Sequence, residues 1–187
     1  MKKFTKVAAT VMAVAMFASV FAGCGASAAD KQFFIGSTGP LTGDASAYGN
    51  SVKNGAQLAV DEINAAGGLN GHTFKFDMKD DKATAEDAAT GYDALMDDGM
   101  QISIGSVTSG SCESFAAKSV DDNLFFITPS ASAASIITGR DNAFRVCFGD
   151  PDQGTLAAEE LTSKYKKIGA IYDTSDPYSK GIYEAFD

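Results

Sequence analysis

The side chains best suited to chemistry are serines, which cluster in two short turns between Gly105 and Ser132. Ser109-Gly110-Ser111 follows the apolar run 102–104, and Ser130-Ala131-Ser132 follows the run 124–127. In an open parallel α/β sheet, ligands bind beyond the carboxyl ends of the strands. Serine hydroxyls and the unpaired N–H groups of a following helix can hold a small anion there, such as a carboxylate. The two turns therefore predict a binding site, although serine-rich turns also occur simply as helix caps.

No catalytic group accompanies these serines. The glycines between Gly105 and Cys112 have the spacing of a phosphate-binding P-loop, but its lysine and the following Ser/Thr are missing. Cys112 as a nucleophile needs a base, and His72, the only histidine, is predicted to be a solvated turn residue at the opposite end of the strands. Asp80-Asp81 lacks a following calcium loop and is interpreted as helix capping. We therefore predict neither an enzyme nor a cofactor or metal site.

The composition is that of an ordinary globular domain, with 187 residues, 45% hydrophobic and 21% charged. A formal net charge of -9 argues against nucleic acid as a partner, because binding it requires a basic face. Besides Cys24, the cysteines are Cys112 and Cys147. An oxidising compartment would permit a bond between them, but the sequence leaves open whether they are bonded or only packed.

Residues 1–29 are predicted to be an export signal and a short linker. Lysines precede an apolar core from Val7 to Phe21, and small residues follow it. The junction Val20-Phe21-Ala22-Gly23-Cys24 resembles a bacterial lipobox, with Phe21 in place of the usual leucine, which implies that Cys24 carries lipid. The alternative is ordinary cleavage after Ala26-Ser27-Ala28-Ala29. We expect an extracytoplasmic protein that is anchored to the membrane by lipid.

From Gln32 onward, short apolar runs alternate with helical stretches, which is typical of βαβ units and a parallel sheet. The positions Val52, Ala56, Ala59 and Ile63 predict the sheet-facing stripe of the first helix. The predicted strands are 32–37, 72–78, 102–104, 124–127, 142–148 and 168–172. The predicted helices are 47–66, a second after Asp80-Asp81 with a capping box of Thr84 and Asp87, 111–120, a short turn after Ser132, one through Lys166, and one from Pro177.

The elements divide the chain into three predicted parts. Residues 1–29 form the signal peptide, 30–149 the first lobe, and 150–187 the start of a second lobe. Residues 30–149 can bury one core, whereas the remaining residues are too few to fold alone. The last predicted helix has no stop signal before Asp187, so the chain is expected to be truncated, with its first lobe nearly complete.

Six stretches carry a family resemblance through their order and spacing. They are IGSTGPLTGDASAYGNSVKNGAQLAVDEINAAGGLNG, DDKATAEDA, IGSVTSGS, ITPSASA, FRVCFGDPDQG and IYDTSDPYSKG. Together they resemble the solute-binding proteins of branched-chain amino acid ABC transporters, which have the type I periplasmic binding protein fold. The resemblance implies two α/β lobes that close on an amino acid and then dock on a membrane permease. We expect a monomer.

The resemblance also implies a role for single residues. Ser109 matches the position whose hydroxyl and N–H hold the ligand α-carboxylate. Ser132 matches a second donor, where the family more often has threonine. The backbone carbonyl at Ser130 would accept from the ligand ammonium, and Tyr178 would cover the ligand on closure. The carboxylate that usually pairs with the ammonium would lie beyond Asp187. The remaining implied pocket residues are Tyr48 and Thr108.

Two alternatives stay open at this stage. The same fold serves as the extracellular ligand-binding part of sensors and receptors, which would continue into a transmembrane helix and a signalling domain. A lipobox favours the transporter component. The ligand could also be a related small amide or carboxylate, because pockets vary within the family.

Overall fold

The computed structural model describes residues 31–187, so Cys24 and the predicted export signal lie outside the described residues. The strands are β1 Gln32–Gly39, β2 Thr73–Asp80, β3 Ile102–Ser103, β4 Phe126–Thr128 and β5 Ala143–Arg145. The helices are α1 Ser46–Ala65, α2 Ala85–Asp97, α3 Ser109–Asp121, α4 Asp150–Lys164 and α5 Pro177–Phe186, with a 3-10 helix at Ala134–Ile136. None of these helices is long and apolar enough to cross a membrane.

The five strands form one sheet in the order β2-β1-β3-β4-β5. The pairs β1–β3, β3–β4 and β4–β5 are parallel, and the register aligns Gly36 with Ser103 and Ser103 with Phe126. This confirms the predicted α/β class with a parallel sheet flanked by helices. Because parallel strands end at the same edge, the loops after β1, β3 and β4 meet there.

The first four predicted strands exist with ends shifted by at most two residues, whereas the last two predicted strands differ more. The fifth is shorter than 142–148, with only Ala143–Arg145 paired. Residues 168–172 form no strand, and Ile171 is fully exposed. An extended segment becomes a strand only when a neighbour satisfies its backbone N–H and C=O groups, and none of the five described strands pairs with this segment.

Helix α1 packs mainly on β2 and buries a stripe that is rotated from the predicted one. Val52 and Ala56 are half-buried as expected, but the stripe continues through Val60, which is buried. Ala59 and Ile63 are not part of it: Ala59 is exposed and Ile63 is 43% exposed, contrary to the prediction. Positions 52, 56 and 60 have an i, i+4 spacing, so α1 packs through the ridge of side chains with this spacing. The predicted stripe of apolar residues would have continued through positions 59 and 63 instead.

Gly49 and Gly55 in α1 give a matched test of this packing. A Cβ added at Gly49 would lie 2.0 Å from the carbonyl oxygen of Pro40, whereas a Cβ at Gly55 meets nothing within 4 Å. We expect Gly49→Ala to lower the free energy of unfolding by about 1–3 kcal/mol through overpacking. Gly55→Ala should raise it by roughly 0.5–1 kcal/mol, because alanine is the better helix former. Urea denaturation measures both, and equal effects would contradict this contact.

The core lies under α2 and α3 on one face of the sheet. Phe115 is central: its ring makes edge contacts with Tyr92 at 4.8 Å and with Phe126 at 5.5 Å between centroids. On the other face, Phe125 and Phe144 contact each other at 5.4 Å but remain 46% and 48% exposed. The helices α2 and α3 therefore bury only one face of strand β4 deeply.

The two described cysteines are not bonded. Cys112 is fully buried in the core and Cys147 is half-buried, and both are free thiols. Burial raises the pKa of the Cys112 thiol to about 12, so it stays protonated near neutral pH. The sequence left open whether the cysteines are bonded or only packed, and Cys112 is packed in the core.

Candidate ligand-binding site

A cavity of about 740 Å³ lies at the carboxyl edge of the sheet. Six of the seven binding residues predicted from the sequence line it: Tyr48, Thr108, Ser109, Ser130, Ser132 and Tyr178. The cavity extends from the first turn of α3 to the first turn of α5 and to the loop after β4. The structure thus brings residues that are up to 130 positions apart in the sequence into one site.

Ala131, the seventh predicted residue, is not among the lining residues. It is 1% exposed and belongs to the core cluster. Its N–H donates to Thr128 Oγ1 at 3.1 Å, and its carbonyl accepts from the Cys147 thiol at 3.6 Å. Both backbone groups therefore already have partners behind the cavity wall.

Helix α3 points an uncapped N-terminus at the cavity. Thr108 is the N-cap residue, but its side chain caps no helix amide and donates to Ser111 Oγ at 3.1 Å. The N–H groups of Ser109 and Gly110, which line the cavity, have no acceptor within residues 31–187. Free N–H groups and the partial positive charge of the helix end together favour an anion at this place.

The Ser109 hydroxyl joins the two serine turns. Its oxygen accepts the backbone N–H groups of Ser132 and Ala133, each at 3.2 Å. Because both bonds use the oxygen as acceptor, the hydroxyl hydrogen is available to donate to a bound anion. Ser109 thus contributes both to the shape of the site and to its donors.

Arg145 supports the second turn from behind. Its Nη1 donates to the carbonyl of Ser132 at 2.6 Å and to that of Ala133 at 3.3 Å. The guanidinium is not among the cavity-lining groups, and neither is any Lys or Arg of the described chain. Sequence reasoning missed this role, although an arginine inside an apolar strand is a signal for a buried acceptor.

Asp150, at the start of α4, is a buried carboxyl group beside this turn. Burial raises its pKa, while the Ser132 hydroxyl and Arg145 counteract this shift and Asp176 adds to it. Its backbone N–H donates to the Ser132 carbonyl at 3.1 Å. This bond ties the start of α4 to the second serine turn.

A buried hydrogen-bond chain through Asp81, Ser106 and Thr128 connects the strand ends next to the site. Asp81 Oδ2 accepts from Ser106 Oγ at 2.7 Å, and its Oδ1 accepts from the N–H of Ala83 at 2.9 Å. The Ser106 carbonyl in turn accepts from Thr128 Oγ1 at 2.8 Å. Thr128 Oγ1 also accepts the N–H of Ala131. The chain ties together the ends of β2, β3 and β4, on which both serine turns depend.

The prediction that Asp80-Asp81 caps the second helix is therefore wrong. The N-cap of α2 is Thr84, whose Oγ1 accepts from the N–H of Asp87 at 3.1 Å. Asp80 instead accepts from the N–H of Leu41 at 2.8 Å and so fixes the loop after β1. Both aspartates bind to segments distant in sequence, which a local pattern cannot reveal.

We expect Asp81→Asn to change how stability depends on pH. Burial raises the folded-state pKa of Asp81 above the ordinary value of 3.8, and the hydrogen bonds from Ser106 and Ala83 only partly oppose this. As the pH rises through 3.8, the unfolded chain releases this proton first, so the wild type loses stability relative to Asp81→Asn. Above the folded-state pKa of Asp81, the difference in stability between the two proteins no longer changes with pH. Urea denaturation at a series of pH values measures the difference, and a difference independent of pH would contradict this account.

Two residues considered for catalysis are packed groups. His72 is half-buried and its ring lies 5.1 Å from that of Phe33, so it is not the solvated turn residue that was predicted. Cys112 is fully buried with a raised pKa, which does not suit a nucleophile. Within residues 31–187, no group of His, Cys, Asp and Glu side chains could hold a metal ion.

Comparison with known proteins places the chain among binding proteins. A family model described as periplasmic binding protein matches residues 32–187. The chain is 34% identical over 160 residues to the Leu/Ile/Val-binding protein BraC3 of Rhizobium johnstonii, covering 84% of this chain and 44% of that protein. It is 32% identical over 173 residues to the leucine-, isoleucine-, valine-, threonine-, and alanine-binding protein of Pseudomonas aeruginosa, covering 91% of this chain and 45% of that one.

The fold agrees with this similarity. The branched-chain amino acid transporter substrate binding protein LivJ from Streptococcus pneumoniae, solved in complex with isoleucine, superposes with a TM-score of 0.77 at 33% identity. The match covers 83% of this chain and 46% of that protein. The chain thus spans a little less than half the length of the proteins that it resembles.

Proposed function

Because the chain belongs to the periplasmic binding protein family, we propose that it is part of the solute-binding component of an ABC importer and binds a branched-chain amino acid. The observation that carries the proposal is the uncapped N-terminus of α3, where the N–H groups of Ser109 and Gly110 line the cavity. In this proposal residues 30–149 are the first lobe and residues 150–187 begin the second, which further chain would complete.

The donors of the cavity suit one carboxylate. Ser109 and Ser130 offer hydroxyl groups, and the helix end offers two N–H groups. No full positive charge lies in the lining, so hydroxyls and peptide dipoles neutralise the carboxylate. Such a site suits the single α-carboxylate of an amino acid.

The walls of the cavity are mainly apolar, which supports an aliphatic ligand side chain. Val107, Pro129, Phe148 and Tyr48 lie on the same surface as the serines. Tyr178 is 43% exposed at the opposite side, where it can cover a bound ligand. Ligand pockets usually combine such apolar walls with a few convergent polar groups.

A thermal-shift screen tests the ligand class. Leucine, isoleucine or valine should raise the melting temperature, because a ligand at about 100 times its dissociation constant adds roughly 2.7 kcal/mol. Isoamylamine, which has the side chain and the amine of leucine but no carboxylate, should give no shift. If isoamylamine shifts the protein as much as leucine does, or if only a sugar shifts it, the proposed function is wrong.

The two-lobe proposal predicts weak binding by these 187 residues alone. Closure of a second lobe excludes water and adds contacts that one face cannot supply. Calorimetry with leucine should therefore show a much higher affinity for a version extended by the downstream coding sequence. Equal affinities would mean that the site does not lie between lobes.

The membrane anchor is proposed at Cys24, in the segment outside the described residues. A lipidated cysteine would carry the multiple acyl chains that stable anchoring needs and would hold the protein near its permease. In a host that processes lipoproteins, the wild type should incorporate labelled fatty acid and partition into detergent. Equal labelling of Cys24→Ser would rule out this anchor.

A further inference from the structure

Asp176 is the one charged side chain among the cavity-lining residues of the described chain. It is half-buried and precedes α5 as its N-cap residue. Asp176 takes part in none of the ion pairs found within residues 31–187. Its negative charge therefore faces the cavity without a cationic side chain to balance it.

The two helix N-termini at the cavity differ in how their amides are used. At α3 the first N–H groups are free, as described above. At α5 the Asp176 carboxylate accepts the N–H groups of Tyr178 at 3.4 Å and Ser179 at 3.2 Å, and Pro177 has no N–H. A helix end contributes about +0.5 of an elementary charge, which cancels only half of a carboxylate. The α3 end is thus electropositive and the α5 end is electronegative.

These opposite ends lie next to each other. A Cβ added at Gly110, in the first turn of α3, would lie 3.9 Å from Cδ of Pro177, in the first turn of α5. A ligand carboxylate on the N–H groups of Ser109 and Gly110 would therefore place its α-substituents near the first turn of α5, which Asp176 caps at the same cavity. The α-ammonium of an amino acid is the substituent that such a carboxylate stabilises.

We infer that Asp176 is a specificity-determining residue, which selects ligands that carry a cationic group beside their carboxylate. This inference rests on the proposed function and deepens it, since it assigns an ammonium contact to a residue of this chain. The inference predicts that simple carboxylic acids bind poorly, because without an ammonium group their negative charge meets that of Asp176.

Asp176→Asn tests the inference, because asparagine caps helices as well as aspartate does and removes only the charge. The probes are leucine and 4-methylpentanoate, which has the same carbon skeleton without the amine, titrated while tyrosine emission is followed. The wild type should bind leucine more tightly. Asp176→Asn should weaken leucine binding about tenfold or more and leave 4-methylpentanoate binding unchanged or tighter.

Asp173→Asn is the matched control, since Asp173 lies in the same loop but does not line the cavity. It should leave leucine affinity unchanged. Unchanged leucine affinity in Asp176→Asn, equal losses for both probes, or an equal leucine loss in Asp173→Asn would each overturn the role of Asp176. In those cases leucine still binds the wild type and the proposed function survives. Failure of leucine to bind the wild type would overturn both.

Discussion

Ser109→Ala should weaken leucine binding by about 10- to 150-fold, because a hydrogen bond to a charged group contributes roughly 1.5–3 kcal/mol. The hydroxyl hydrogen is the donor that the ligand loses. Removal of the oxygen also leaves the N–H groups of Ser132 and Ala133 without their acceptor, so the second turn should lose its fixed position. Both effects reduce affinity, and titration calorimetry measures their sum.

Ser111→Ala is the control for this substitution. Ser111 lies in the same turn and is buried, and its hydroxyl donates to the carbonyl of Thr84 at 3.2 Å, but it does not line the cavity. The control should lose stability without a comparable loss of leucine affinity. A Ser109→Ala variant with intact leucine affinity would show that the carboxylate does not bind at this turn.

Phe115→Ala should lower the free energy of unfolding by about 3–5 kcal/mol, the usual cost of truncating a buried aromatic ring. Phe115 is 0% exposed and contacts both Tyr92 and Phe126, so its removal leaves a cavity and breaks two edge contacts. Urea denaturation followed by circular dichroism measures the change. If the alanine variant does not fold, Phe115→Leu gives a smaller loss that is still measurable.

The matched control is Phe125→Ala, next to the core strand β4. Its ring is 46% exposed and contacts Phe144 on the less covered face of the sheet. The loss there should be well below that at Phe115. Equal losses at the two positions would mean that the core does not lie under α2 and α3.

The fold class is predictable from the sequence because the local signals agree with one another. Apolar runs alternate with helical patterns, and Thr84 marks the start of α2 where the structure has it. The sequence predictions fail where contacts with distant segments determine whether a strand forms or which face of a helix is buried. Residues 168–172 have the pattern of a strand but no paired neighbour, and α1 turns so that Val60, and not Ile63, is buried against its neighbours.

The site is predictable in part for a similar reason. Serines after apolar runs indicate strand ends, so the sequence pattern by itself places Ser109 and Ser132 at one edge of the sheet. Arg145 and Asp81 act on segments far away in sequence, and no spacing rule connects them to the serine turns. Asp176 has the local signature of a helix cap, and only its position in the wall of the cavity points to a ligand.

The central claim is that a ligand carboxylate binds at the N-terminus of α3. An amide chemical-shift titration of this chain with leucine tests it directly, because a backbone N–H that gains a carboxylate acceptor shifts downfield and weak binding is sufficient. The amide protons of Ser109 and Gly110 should move downfield to saturation with leucine, and isoamylamine should leave them in place. Leucine binding that saturates elsewhere in the chain while these two amides remain unchanged would contradict the claim.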